Sequence, residues 1–168
     1  ADNSPLMYMC FSKTPAFTKG QNPRPFDENS GGVMIGEGMG MVVLKRLEDA
    51  ERDGDRIYAV IRGIGLSNDG QSRGMLVPSS EGQVRAIRSA WKMADLDPNS
   101  AGLVECHATG TQVGDAVELR SMAEVFQKNI PISSLKSNMG HLITTAGVAA
   151  LIKVMECMDA GQLPASLH

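Results

Sequence analysis

A polar corner between two apolar segments constrains the fold of this chain more than any other feature. The corner is Ser133 to Gly147, SSLKSNMGHLITTAG, and it overlaps an apolar run at 130–135. That run is typical of a short buried strand, and the apolar stretch at 140–160 is typical of a core helix. Four hydrogen-bonding residues lie within six positions of the corner: Lys136, Ser137, Asn138 and His141. Because buried polar groups need partners, a strand-to-helix corner of this composition indicates a functional site.

A second polar corner follows the predicted strand at 101–106. His107 comes directly after this strand, and the hydroxyl residues Thr109 and Thr111 follow, which can fix the orientation of its ring. Strands and helices alternate through the second half of the chain, with a helix predicted at 115–126. This order is typical of parallel strands joined by helical crossovers. Ligands bind beyond the carboxyl ends of such strands, which is where both histidine corners lie.

The predicted elements divide the chain into three parts: a loop-rich lead-in at 1–32, a glycine-rich strand region at 33–66, and alternating helices and strands at 81–168. The lead-in carries proline and glycine turn signals and is long for a complete compact domain. A strand is predicted at 33–47, with glycines at Gly36, Gly38 and Gly40. Because alternate glycines leave one face without side chains, another backbone or a substrate can lie close to it.

Further elements follow from capping and periodicity. A short helix is predicted at 47–53, since Gly54 is placed to end it in a left-handed conformation. A second strand at 57–66 is predicted to pair with the first. A loop rich in Ser, Gly and Asn then leads to an amphipathic helix at 81–94.

Composition narrows the classes of partner and compartment. A chain of 168 residues with 42% apolar residues suits one domain, and its 11 methionines are expected to fill the core. The net charge of −3 and the pI near 5.6 argue against nucleic acid as a partner. Three cysteines without metal-type spacing favour reduced thiols in the cytoplasm, and the first residues show no signal peptide. The last apolar helix carries Lys153, Glu156 and Asp159, so it is predicted as a core helix and not a membrane span.

No metal site is predicted. Neither His107 nor His141 has a second ligand three or four residues away on a helix. The third histidine, His168, is the last residue and is given no role.

Three ordered motifs resemble segments of the β-ketoacyl synthase family. Residues 105–118, ECHATGTQVGDAVE, are similar to its His-Gly-Thr-Gly-Thr segment. Residues 134–147, SLKSNMGHLITTAG, are similar to its Lys-Ser-Asn-x-Gly-His-x-x-x-x-Ala-Gly segment. Residues 24–55 resemble its Pro-Phe-Asp and Gly-Glu-Gly strand region. The resemblance covers nearly the whole chain and is closest to ketosynthase domains of multidomain polyketide, polyunsaturated fatty acid and glycolipid synthases.

The resemblance implies an α/β chain with the thiolase-like layered αβαβα fold. It also implies decarboxylative Claisen condensation. An active-site cysteine holds an acyl chain as a thioester, malonyl loses carbon dioxide, and the resulting enolate attacks that thioester. Substrates arrive on the phosphopantetheine arm of an acyl carrier protein, and the domain itself binds no cofactor. The complete domain is expected to form a homodimer, with neither nucleic acid nor membrane as a partner.

By motif position, the resemblance also assigns roles to the two polar corners. His107 and His141 match the histidines that donate hydrogen bonds to the malonyl thioester oxygen, and Lys136 matches the lysine that orients the site. Five residues are expected to support these three from behind: Thr109, Thr111, Asp115, Glu118 and Asn138. Simpler interpretations stay open, with Lys136 a solvated loop charge, His141 satisfied locally, and the two acids favourable charges at a helix N-terminus.

The chain departs from the family at the nucleophile. None of Cys10, Cys106 and Cys157 is placed as a low-pKa thiolate at a helix N-terminus, so the nucleophilic cysteine is expected outside this chain. We expect the chain to be the carboxyl-side portion of a ketosynthase, truncated at both ends and inactive in isolation. A smaller departure is Ala108, which stands where many members have glycine.

Three other interpretations are weighed against an active condensing enzyme. One is a non-elongating relative, a chain-length-factor-like or decarboxylating subunit that pairs with an active ketosynthase. Another is a thiolase, which uses coenzyme A and lacks this pairing of histidine motifs. The last is an α/β binding module, which would leave both histidine corners unexplained.

Overall fold

A computed structural model describes residues 3–14, 16–71, 74 and 77–168. Helices and strands occur in this order: α1 Pro5–Lys13, α2 Leu47–Asp53, α3 Ser80–Ala94, β1 Val104–Glu105, α4 Gln112–Val125, β2 Ile132–Ser133, α5 Lys136–Met139 and α6 Ala146–Ala160. Two 3₁₀ turns lie at Pro98–Ser100 and Ile143–Thr145. Parts of the predicted loops at 1–32 and after Leu66 fall on residues 1, 2, 15, 72, 73, 75 and 76, outside the described residues.

The strands β1 and β2 form a parallel pair, with Val104 opposite Ile132 and Glu105 opposite Ser133. Helix α4 connects them, which agrees with the predicted strand, helix, strand order. Both strands are shorter than the predicted 101–106 and 130–135, although the pairing continues to a bond from the Cys106 N–H to the Ser133 carbonyl, at 2.7 Å. Because the strands are parallel, the two polar corners begin at the same edge of the pair.

Helices α3 and α4 pack together beside this pair. The rings of Trp91 and Phe126 meet edge to face at 6.0 Å, an arrangement that aromatic pairs favour. At the first residue of α3, the hydroxyl of Ser80 lies 2.9 Å from that of the fully buried Ser121 of α4. A small apolar cluster contains the buried residues Cys106, Ala108 and Met122, and Phe26, Val104 and Phe126 pack against it. This core supports the first histidine corner.

Helix α1 lies within the segment at 1–32 that is predicted as loops, so that prediction is wrong at these residues. Ser4 accepts a hydrogen bond from the Met7 N–H, and Pro5 occupies the first helical position. Both are start signals, which the many later prolines and glycines obscure. The helix is fixed by ring contacts of Tyr8 and Phe11 with Phe17, at 5.6 and 5.8 Å.

The predicted strands at 33–47 and 57–66 do not pair with each other among the described residues. Each instead lies against a helix. A Cβ added at Gly65 would come within 1.8 Å of the Ala86 carbonyl oxygen of α3, and one at Gly40 within 2.7 Å of Val148 Cγ1 on α6. The prediction that these two segments pair with each other was therefore wrong. Gly40 and Gly65 instead allow each segment to lie close to a helix. Met39 is 91% exposed, so the expectation that methionines fill the core was also wrong there.

The predicted helix at 140–160 begins later than expected. Gly140 and Ile143 have φ angles of 75° and 49°, which a right-handed helix cannot contain. The chain therefore makes the short helix α5, a turn, and then α6 from Ala146. In contrast, α2 ends at Gly54 with φ of 70°, as predicted. No helix in the described parts of the chain is long and apolar enough to cross a membrane.

Candidate active site

The two histidine corners meet. The imidazole rings of His107 and His141 are 5.2 Å apart between centroids and nearly perpendicular, at 85°. His107 lies two residues after the end of β1, and His141 lies two residues after the end of α5. The predicted parallel arrangement therefore brings together two side chains that are far apart in the sequence.

The backbone of His141 is bound to the glycine-rich segment. Its N–H donates to the Met34 carbonyl at 2.7 Å, and its carbonyl accepts from the Gly36 N–H at 3.0 Å. This single parallel bridge requires a close approach, because a Cβ at Gly36 would lie 2.0 Å from the Met139 carbonyl oxygen. The alternate glycines thus allow another backbone to lie close, as predicted for the 33–47 segment.

A backbone hydrogen bond fixes the tautomer of His141. The Ile143 N–H donates to His141 Nδ1 at 3.1 Å. Since Nδ1 acts as an acceptor, the neutral imidazole carries its proton on Nε2. His141 therefore presents a ring N–H donor on the side away from its own turn.

Both imidazoles favour the neutral form. Burial lowers the pKa of His141 to about 4, and the positive charge of Lys136 and the neighbouring His107 act in the same direction. The pKa of His107 is also lowered, first by burial and then by Lys136, against the opposing charges of Glu118 and Asp115. At neutral pH the two rings are thus hydrogen-bonding groups without charge.

We expect NMR to show the His141 imidazole titrating near pH 4, well below its ordinary 6.5. Because the unfolded chain then binds more protons than the folded chain between these values, the free energy of unfolding should fall as pH is lowered through this window. The ring C–H chemical shift against pH measures the midpoint. A midpoint at or above 6.5 would show that His141 is neither buried nor close to a cation.

Lys136 is buried, with only 6% of its surface exposed. Its ammonium makes no hydrogen bond or ion pair with any residue that the structure describes. Burial lowers its pKa, while the charges of Glu118 and Glu105 act in the opposite direction. The alternative of a solvated loop charge is therefore wrong. A largely buried lysine whose ammonium is not bonded to a described residue is suited to meet a polar or anionic group of a ligand.

The carboxylates of Asp115 and Glu118 hold the backbone around His107. Glu118 accepts from the N–H groups of His107 and Ala108, both at 2.7 Å. Asp115 accepts from the Gly110 N–H at 3.2 Å and from the Phe26 N–H at 2.8 Å. Their contacts are with the histidine loop, so more than helix polarity accounts for their positions.

The other predicted supporting residues lie within the corners, and the structure shows no hydrogen bond from their side chains to either imidazole among the described residues. The hydroxyls of Thr109 and Thr111 are 3.1 Å from each other, and Asn138 Oδ1 accepts from the Ser137 hydroxyl at 2.9 Å. Sequence reasoning missed two serines that hold the first corner. Ser30 Oγ donates to the Gly110 carbonyl at 2.5 Å, and Ser134 Oγ donates to the Ala108 carbonyl at 3.2 Å. A lone serine carries no signal of such a contact in the sequence.

The three cysteines do not form a nucleophilic site. Cys106 is buried against Met122, and burial raises the pKa of its thiol to about 12. Cys10 lies within the exposed α1, and Cys157 lies near the end of α6. Neither position is a helix N-terminus, where a thiolate would be stabilised. Among the described residues there is also no group of three or more metal-binding side chains.

Two neutral imidazoles beside a buried lysine, at the carboxyl edge of parallel strands, define a site that can stabilise negative charge on an oxygen atom. Condensing enzymes need such a site. The family models described as "Beta-ketoacyl synthase, C-terminal domain" and "Beta-ketoacyl synthase, N-terminal domain" match residues 58–168 and 1–50. The chain belongs to the β-ketoacyl synthase family.

Curated relatives are large synthases. The chain is 45% identical over 175 residues to a polyunsaturated fatty acid synthase of Thraustochytrium sp., a match that covers 99% of this chain and 6% of that protein. It is 41% identical over 172 residues to a phenolphthiocerol/phthiocerol polyketide synthase of Mycobacterium tuberculosis, covering 98% of this chain and 9% of that protein. The chain thus spans less than a tenth of the length of these relatives.

Solved structures confirm the thiolase-like α/β fold class. The ketosynthase from module 6 of the bacillaene synthase of Bacillus subtilis 168 superposes with a TM-score of 0.95 at 38% identity, covering 99% of this chain and 31% of that one. A structure titled "PfaC Keto synthase-Chain length factor" gives a TM-score of 0.92 at 47% identity, covering 97% of this chain and 18% of that one.

Proposed function

We propose that this chain supplies the two-histidine part of a ketosynthase active site, which catalyses decarboxylative Claisen condensation in polyketide or fatty acid biosynthesis. The supporting observation is the pair of neutral imidazoles, one of which has its Nε2–H available through the bond from Ile143. An electron-rich oxygen placed near both rings would accept hydrogen bonds from them. Membership of the β-ketoacyl synthase family supports condensation as the reaction in which these hydrogen bonds are used.

In the proposed reaction, the carbon–carbon bond between the malonyl carboxylate and its α-carbon breaks and releases carbon dioxide. The electron pair passes to the thioester carbonyl, which becomes an enolate oxygen, and His107 and His141 donate hydrogen bonds to it. The enolate carbon then attacks the acyl thioester and expels the cysteine thiolate. The positive charge of Lys136 near both rings favours their neutral form. Neutral donors suit this step because no proton needs to leave them.

The nucleophilic cysteine is proposed to lie outside these 168 residues, because Cys10, Cys106 and Cys157 are all unsuited to it. An acyl carrier protein is the proposed partner, and its phosphopantetheine arm would deliver both substrates. We also propose that the complete domain acts as a homodimer in the cytoplasm. By itself the chain should neither load an acyl group nor condense one.

Acyl loading tests this proposal in a ketosynthase domain that contains the chain. After incubation with an acyl carrier protein substrate, peptide mass spectrometry should place the acyl group on a cysteine outside the 168 residues. Variants with alanine at Cys10, Cys106 or Cys157 should load as well as the parent domain. An acyl adduct on any of these three thiols would overturn the assignment of the nucleophile.

A chain-length-factor-like or decarboxylating subunit is the second candidate. It is consistent with the 47% identity to the structure titled "PfaC Keto synthase-Chain length factor", whose title names both kinds of subunit. Acyl loading, measured together with release of carbon dioxide from malonyl carrier protein, separates the two candidates. A domain that releases carbon dioxide from malonyl carrier protein without loading an acyl chain would favour this second candidate. A thiolase that uses coenzyme A has the least support.

A further inference from the structure

Glu105 is a buried carboxylate that was not among the predicted site residues. It lies on β1, the strand before the His107 corner, and it binds the chain that leads into the corner of Lys136 and His141. Glu105 accepts a hydrogen bond from the Leu135 N–H at 2.5 Å and from the Ser133 hydroxyl at 2.5 Å. It also forms an ion pair with Lys153 of α6 at 2.8 Å. The side chains of Glu105 and Lys153 are only 7% and 9% exposed. We call these three contacts the Glu105 bridge.

The Glu105 bridge lies where both corners begin. Glu105 is the last residue of β1 and stands two residues before His107. Leu135 directly precedes Lys136 and the short helix α5. The carboxylate thus joins the two chain segments that leave the strand pair toward the site, beside the backbone bond from Cys106 to Ser133 and the bond from the Ser134 hydroxyl to the Ala108 carbonyl.

Replacing the Glu105 carboxylate would leave the groups that bind it without their acceptor. Without the carboxylate, the Leu135 N–H would lose the hydrogen-bond acceptor it has at a partly buried position, which is unfavourable. The buried charge of Lys153 would likewise lose its acidic partner and keep only the Ser133 hydroxyl, 3.1 Å away. An apolar residue could fill the volume at position 105, but it could not replace the bonds that Glu105 accepts from Ser133 and Leu135.

We propose that Glu105 is a positioning residue, which sets the distance and orientation between the His107 corner and the corner of Lys136 and His141 through its bonds to Leu135 and Ser133. Lys153 balances its charge from α6. The role rests on the proposed function for its catalytic consequence, although the positioning itself does not depend on which reaction the site performs.

Kinetics of a ketosynthase domain that contains the chain test the consequence. E105A should lower kcat for malonyl decarboxylation by about tenfold or more, with KM changed by less than about twofold, because small displacements of catalytic groups slow chemistry more than binding. E105Q should be slowed by only about threefold, since its amide oxygen can still accept from the Leu135 N–H. If E105A does not fold, the comparison of kcat between E105Q and the parent domain tests the role of Glu105.

Val84→Ala is the matched control, because Val84 is a buried residue of α3 that belongs to neither corner. It should lower Tm without lowering kcat. If Val84→Ala and E105A lower kcat equally at equal loss of Tm, Glu105 is only a core residue and the positioning role is wrong. An unchanged kcat in E105A would also overturn it.

NMR tests the positioning without any activity. The imidazole resonances of His107 and His141 should move in E105A and E105Q and stay in place in Val84→Ala. If the parent domain does not decarboxylate malonyl carrier protein, the proposed function fails, while moved resonances would still support the positioning role. Resonances that stay in place in both Glu105 variants would overturn the positioning role whatever the activity.

Discussion

Replacing His141 by alanine should slow malonyl decarboxylation by about 10²–10³-fold in a ketosynthase domain that contains this chain. The ring Nε2–H, fixed by the bond from the Ile143 N–H, would no longer reach the developing enolate oxygen. Loss of one such donor costs about 3 kcal/mol in the barrier. His107→Ala should have an effect of the same order, because its ring meets that of His141 at 5.2 Å.

Release of labelled carbon dioxide from malonyl carrier protein measures this effect in a single turnover. Lys92→Ala is the control, since Lys92 is exposed in the last turn of α3 and belongs to neither corner. It should leave the rate unchanged. Turnover like that of the parent domain in either His107→Ala or His141→Ala would refute the assignment of the two histidines as oxyanion donors.

Replacing Gly36 by alanine should destabilise the fold by about 3–5 kcal/mol, because overpacking against backbone cannot be relieved by a rotamer change. The new Cβ would lie 2.0 Å from the Met139 carbonyl oxygen and 2.9 Å from Leu142 Cδ2. The bridge between residues 35 and 141 would have to separate, and His141 would lose its backbone support. We therefore expect loss of decarboxylation together with loss of stability.

Urea denaturation measures the free energy of unfolding for this variant. Gly102→Ala provides the comparison, since a Cβ at Gly102 would meet nothing within 4 Å. That substitution should change stability by less than about 1 kcal/mol. Equal stability of the two variants would mean that the glycine-rich segment does not lie against α5 as described.

The meeting of the two histidines could be predicted from the sequence because it depends on connectivity. A strand, a helix and a second strand in this order are parallel, so polar residues after each strand reach the same edge. Identifying the corners required only a strand end followed by polar residues, as at His107 and at Lys136. Their detailed geometry could not be predicted in this way. Ile143 has a left-handed backbone conformation, and its N–H donates to His141 Nδ1. β-Branched residues rarely adopt this conformation, so the sequence does not predict it.

Long-range polar contacts were also beyond sequence reasoning. Glu105 sits in an apolar run and resembles any strand-end acid until its contact with Lys153 is seen. The strands predicted at 33–47 and 57–66 failed for a related reason. Alternating apolar residues show that a segment is extended and half-buried, but they do not show whether the neighbour is a strand or a helix. Here the neighbours are α6 and α3.

The bonds that hold the loop around Gly110 have a consequence for how the protein folds. The bond from the Phe26 N–H to Asp115 joins residues 89 apart in the sequence, and the bond from Ser30 to Gly110 joins residues 80 apart. Contacts that close such long loops form slowly, whereas α3 and α4 depend on local contacts. Helix content can therefore return during refolding before the histidine loop is in place. Recovery of activity, and not of helical signal, is the proper measure of a refolded protein.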